Sequence, residues 1–116
     1  MITRDEFEQI IIDSIESLPI QIKNDIDNVE FILEEGDSPG GKLLGFYQGI
    51  PQTKRGNNYS FVLPDRIIIF KKTIERYAYY TREELHKIIK RVVWHEIGHY
   101  FGYSEKKIRE LEKKWK

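Results

Sequence analysis

The sequence predicts an α+β domain, with helices packed on a small sheet of about three strands. Three observations point there: apolar positions at helical spacing near both ends of the chain, short β-branched and aromatic runs between them, and glycine and proline clusters separating those runs. At 116 residues, 40% of them hydrophobic, the chain has the size of one domain spanning 1–116, and should bury about two-thirds of the surface its unfolded form exposes. It has no cysteine, which excludes a disulfide framework, a thiolate zinc site, an iron–sulfur cluster and a cysteine nucleophile. Any metal must be held by histidine and carboxylate side chains.

Thr3-Arg4-Asp5-Glu6 reads as a capping box, so a helix should start there. Phe7, Ile10, Ile11, Ile15 and Leu18 recur at helical spacing until Pro19, which stops the helix or opens a second short one through Ile22 and Ile26. Val29 to Leu33 has strand composition. Gly36-Asp37-Ser38-Pro39-Gly40-Gly41 reads as a loop, Leu43 to Tyr47 as a strand, the stretch from Gly49 to Tyr59 as turns, and Arg66 to Phe70 as a third, buried strand. Thr81-Arg82-Glu83-Glu84 reads as a second capping box, ahead of Leu85, Ile88, Ile89, Val92 and Val93 on one helical face. Gly102 is placed to end that helix. Ser104 can cap a last one, with apolar positions at Ile108, Leu111 and Trp115.

The motif that carries chemistry is His95-Glu96-Ile97-Gly98-His99, an H-E-x-x-H on a segment already predicted helical. Shuffling a chain with 3 histidines gives the pattern by chance roughly once in two hundred. At ~100° per residue from Leu85, the apolar stripe occupies about 300° through 80°, and His95, Glu96 and His99 fall near 280°, 20° and 320°. Three ionisable groups continuing a buried face would cost several kcal/mol unpaired, so they need a partner. A divalent metal is such a partner: imidazoles at i and i+4 can point at one ion, while Glu96 is turned out of the pair and can act as general base on water.

The string continues as Tyr100-Phe101-Gly102-Tyr103-Ser104-Glu105. It thereby resembles the zincin metallopeptidases, in particular the small zincin-like metallopeptidase family of bacteria. Further stretches resemble that family in order: Leu18-Pro19, Asn28-Val29, Leu44 to Pro51, Lys54-Arg55-Gly56 and Leu63 to Ile67. The resemblance implies a zincin active-site helix beside a small sheet, a Zn2+ cofactor held by His95, His99 and Glu105, and Glu96 as catalytic base. It also implies a peptide or protein substrate, added along an exposed strand edge at about Leu43 to Tyr47. The third ligand position is typically Asp in that family; here it is Glu105, which as a first-turn acid would also suit the helix dipole. The alternative is a metal-binding regulatory or interaction module with such a site and little peptidase activity alone.

The remaining candidates have blander readings. His86 is expected at the surface, Arg55 exposed or ion-paired with capture of a substrate carboxylate as the sharper alternative, and Tyr47, Tyr59 and Tyr100 packed rather than donating to an oxyanion. The charges sum to zero but divide unevenly. Residues 1–40 hold 11 acids and 2 bases, net −9, and residues 41–116 hold 8 acids and 17 bases, net +9. The two parts are expected to neutralise each other by packing, a basic substrate-facing surface being the sharper alternative. The lysine-rich end reads as a solvated helix face, and no nucleic-acid partner is expected. Apolar runs as short as Ile10–Ile12 exclude a membrane span, and the acids among the first twenty residues do not suit a signal peptide, so a cytoplasmic protein is expected.

Overall fold

The computed structural model describes residues 2–50 and 63–114. Helix α1 (Arg4–Glu16) opens with the expected capping box: Thr3 Oγ1 accepts from the Glu6 amide at 3.1 Å and the Glu6 carboxylate from the Thr3 amide at 2.9 Å. Pro19 caps a second helix, α2 (Ile20–Asp25), and β1 (Val29–Glu34) follows. After a short helical turn at Pro39–Gly41 come β2 (Gly45–Gln48) and β3 (Asp65–Phe70). The chain ends in α3 (Lys71–Thr81), α4 (Leu85–Phe101) and α5 (Glu105–Lys114).

The sheet is mixed, in the order β1-β3-β2. β3 lies in the middle, parallel to β1 with Phe31 opposite Ile67 and antiparallel to β2 with Phe46 opposite Ile68. Among the described residues β2 is therefore an edge strand. Ile67 and Ile69 of β3 are fully buried, as are Phe7 of α1, Ile74 of α3, and Ile88, Ile89, Val93, Ile97 and Tyr100 of α4. Helix α4 is thus the central helix of the core. Three hydrogen bonds fix it lengthwise: Trp94 Nε1 donates to the Ser14 carbonyl at 2.9 Å, and the Tyr100 hydroxyl donates to the Asp27 carbonyl at 2.9 Å and accepts from its amide at 3.1 Å.

The structure departs from the sequence reading in three places. Helix α3 has no counterpart in it, because its inward face is Thr73, Ile74 and Glu75 while Tyr77, Tyr79 and Tyr80 point to solvent. An apolar pattern that runs opposite to burial gives no helical stripe to read. The second capping box does not form. Thr81 is the last residue of α3, its hydroxyl donates to the Tyr77 carbonyl, and Arg82 takes a left-handed conformation at φ 60, so α4 starts from Glu84 without a side-chain cap. Nor do direct ion pairs among the described residues neutralise the acidic part of the chain against the basic one. Among the described residues, the ion pair joining residues 1–40 to the rest is Asp37 with Arg76 at 2.7 Å, where each charge holds the other's pKa away from its usual value, Asp37 lower and Arg76 higher. The readings of Arg55 and Tyr59, and of Trp115 on the last helix, lie outside the described residues. No helix among the described residues is long and apolar enough to cross a membrane.

Candidate metal centre

Positions 95, 96 and 99 occupy the last turns of α4, where the buried stripe meets β2. Glu96 points inward and is 7% exposed, whereas His95 and His99 sit on the rim of the stripe with side chains about one-third exposed. The imidazole rings stand edge to face with centroids 4.8 Å apart. One candidate ligand atom from each of His95, Glu96 and His99 lies within 4.8 Å of the others.

Glu105 reaches the same point from α5. Its Oε1 lies 3.1 Å from His99 Nε2 and 3.3 Å from His95 Nε2, so a single carboxylate oxygen converges on both ring nitrogens. Three local features deliver it. Gly102 ends α4 at φ 80, a left-handed conformation that glycine adopts without a Cβ penalty, with the Gly102 amide bonded to the His99 carbonyl and Tyr103 to Gly98. Ser104 then caps α5 by accepting from the Lys107 amide at 3.1 Å. Finally α5 rests on α4 at Gly98, where an added Cβ would stand 2.6 Å from Ile108 Cγ1; Gly98 is the slot into which the one buried residue of α5 fits.

Sequence reasoning missed Glu112. Its Oε1 is buried without a hydrogen bond and lies 3.5 Å from His95 Nδ1, on the opposite side of the ring from Glu105. With a metal on Nε2, a carboxylate there would hold the Nδ1 proton and orient the ring. Spacing gives its face but not its partner: Glu105, Ile108 and Glu112 follow at i, i+3 and i+7 and so share one face of α5.

Electrostatics suit a cation at this point. Burial lowers the pKa of His99, the charge of His95 acts the same way, and the charge and hydrogen bond of Glu105 oppose them, so His99 tends towards the neutral form that ligates metal. Burial pushes Glu96 up to about 7, against the charge of His95 and a hydrogen bond from the Tyr47 backbone, and with help from the charge of Glu105. Two imidazoles whose Nε2 atoms face one carboxylate oxygen, with the Glu112 carboxylate behind His95, form a nitrogen–oxygen donor set that fits a zinc-type ion. The other tyrosines and histidine follow the blander readings. The Tyr47 hydroxyl donates to Asp65 Oδ2 at 2.6 Å, Tyr100 is held by Asp27, and His86 is exposed beside Glu84 at 3.2 Å.

A helix bearing two histidines and a buried glutamate, set beside a sheet edge and closed by a carboxylate from the following turn, defines a metallopeptidase-type site. A family model described as zincin-like metallopeptidase matches residues 16–115, and the chain belongs to that family. Comparison with curated proteins gives no match.

Proposed function

We propose that the protein is a zinc-dependent metallopeptidase, with His95, His99 and Glu105 as ligands, Glu96 as general base and Glu112 orienting His95. The observation that carries this reading is the convergence of Glu105 Oε1 on both Nε2 atoms, 3.1 and 3.3 Å away, beside a buried Glu96. When bound, zinc supplies Lewis acidity that polarises a peptide carbonyl and brings the acidity of water to near neutrality. Glu96 takes a proton from the attacking water. Glu96 can hold that proton and return it to the departing amine, so the C–N bond breaks as the new C–O bond is kept. The edge of β2 supports binding of an extended peptide: Leu43, Gly45, Phe46 and Tyr47 line a hollow of about 510 Å³ together with His95, Glu96 and His99. That volume lies within the usual range for ligand sites.

A second reading, a metal-binding module that does not turn over peptides, is favoured by the tyrosines. The hydroxyls of Tyr47 and Tyr100 are bonded to Asp65 and Asp27 rather than offered to a substrate oxygen. Zinc-loaded protein screened against peptide libraries separates the two. Cleavage that disappears in Glu96→Gln with zinc retained supports the peptidase; full zinc occupancy without cleavage of any peptide supports the module.

A further inference from the structure

The hollow at the candidate centre does not end there. A second hollow of about 400 Å³ shares Leu43, Gly45, His95 and Glu96 with it, and a third of about 640 Å³ shares Arg91, Arg109 and Glu112 with the second. Sharing these walls, the three hollows adjoin in a row, a groove from Tyr103 past the histidines to the outer face between α4 and α5. Its chemistry changes along the way. Beyond His95 the walls carry Lys42, Arg91, Arg109, Lys87, Lys90 and Lys113.

The acids in those walls are already engaged. Glu96 and Glu105 belong to the centre, and Glu112 faces His95 Nδ1. Half of these cations are not engaged, and Lys90 stands over the Trp94 ring, 4.7 Å from its centroid. Among the described residues, Lys42, Lys90, Arg109 and Lys113 make no ion pair, Lys87 stands 3.9 Å from Glu84, and Arg91 pairs with exposed Glu83 at 3.0 Å. These cations lie in the basic part of the chain, to which the acidic residues 1–40 contribute, among the described residues, the single ion pair of Asp37 with Arg76. Cations lining a concave surface focus potential and draw in anions.

We propose that this groove selects an acidic polypeptide, with anionic side chains on one flank of the bond held at the centre; the proposal rests on the peptidase reading above and names its substrate class. Polypeptide is favoured over nucleic acid by continuity with the edge of β2 and by Trp94, the aromatic residue in the basic stretch, which is 3% exposed and presents no face on which a base could stack.

The test separates binding from cleavage. Fluorescent decapeptides carrying a Glu triplet on either flank, or Gln in the same places, are titrated into zinc-loaded Glu96→Gln protein at low and high salt. The expected result is at least about fivefold tighter binding of the Glu peptide, a preference that shrinks at high salt and in Arg109→Gln/Lys113→Gln and Lys42→Gln variants that circular dichroism shows to be folded. Equal affinities, or a preference that these variants leave unchanged, overturn the proposal. Tighter binding of an oligouridylate than of the Glu peptide overturns it in favour of RNA, and a dimer that Arg109→Gln/Lys113→Gln dissolves overturns it in favour of a second copy. Wild-type protein is then tested for cleavage of the same peptides, with the acid effect expected on one flank only. Cleavage without acid preference defeats the proposal and keeps the peptidase; selective acid binding without cleavage defeats the peptidase and keeps the selectivity.

Discussion

The centre rests on two helices of very different standing. α4 has ten buried residues among its seventeen, is tied to α1 through Trp94 and to the start of β1 through Tyr100, and carries His95, Glu96 and His99 on the same rigid rod. α5 has one buried residue, Ile108, and presents Glu105 from its first turn with the side chain about half exposed. Two proposed ligands and the proposed base therefore inherit their positions from the core. The third ligand depends on a left-handed turn, a serine cap and one isoleucine in a glycine slot. The contrast shows that this small domain spends its core on fixing the pair of imidazoles and leaves closure of the site to local geometry.

The comparison can be broken most severely on α4. Replacing His95 and His99 together with Ala is expected to abolish metal binding, against about one zinc per wild-type chain by elemental analysis. Full metal content in the double variant would put the site elsewhere.

Glu96→Gln comes next, keeping shape and metal while removing hydrolysis. It also carries a pH signature in metal-free protein. The folded pKa of Glu96, about 7, is raised above its ordinary 4.5, so its contribution to stability is full below pH 4.5 and is lost as pH rises through 7. Relative to Glu96→Gln, metal-free wild type should thus lose up to about 3 kcal/mol over that window in denaturant titrations. Parallel pH curves for the two proteins would mean that Glu96 is not raised.

On the α5 side, Gly98→Ala forces a Cβ against Ile108 and Glu105→Ala removes the carboxylate. Each is expected to weaken zinc binding by about 10–100-fold while leaving the helix content of α4 in place, and Glu105→Asp should retain most of it. Affinities equal to wild type in both would leave a site of two histidines completed by solvent. The smallest effect is expected from Ser104→Ala, a lost helix cap worth about 1 kcal/mol by thermal or chemical unfolding.

How much of this was legible follows the same division. α4 and its motif could be read because burial and polarity agree along it, so Leu85 to Val93 announced the face on which His95, Glu96 and His99 continue. α1, α2, three strands and the turn at Gly102 were legible for similar reasons of capping, composition and punctuation. α3 was not, since Thr73 and Glu75 go inward while Tyr79 and Tyr80 go outward. Glu112 was not either. Its role comes from two helices meeting at Gly98, a tertiary contact that no local pattern in α5 encodes. The course of the sheet, with β3 inserted between β1 and β2, likewise depends on long-range pairing rather than on composition.

The slot at Gly98 has a consequence for the order of events in folding. Ile108 lies ten residues along the chain from its seat, and α4 is secured by α1, α3 and the sheet independently of it. On the proposed site, α5 is then the element expected to open while the rest stays closed, exposing the imidazoles to an arriving ion before Glu105 closes over them. Amide exchange in metal-free protein is expected to be faster throughout α5 than in the middle of α4, and zinc should bring the two rates together; equal protection before zinc is added would mean that the centre is built closed.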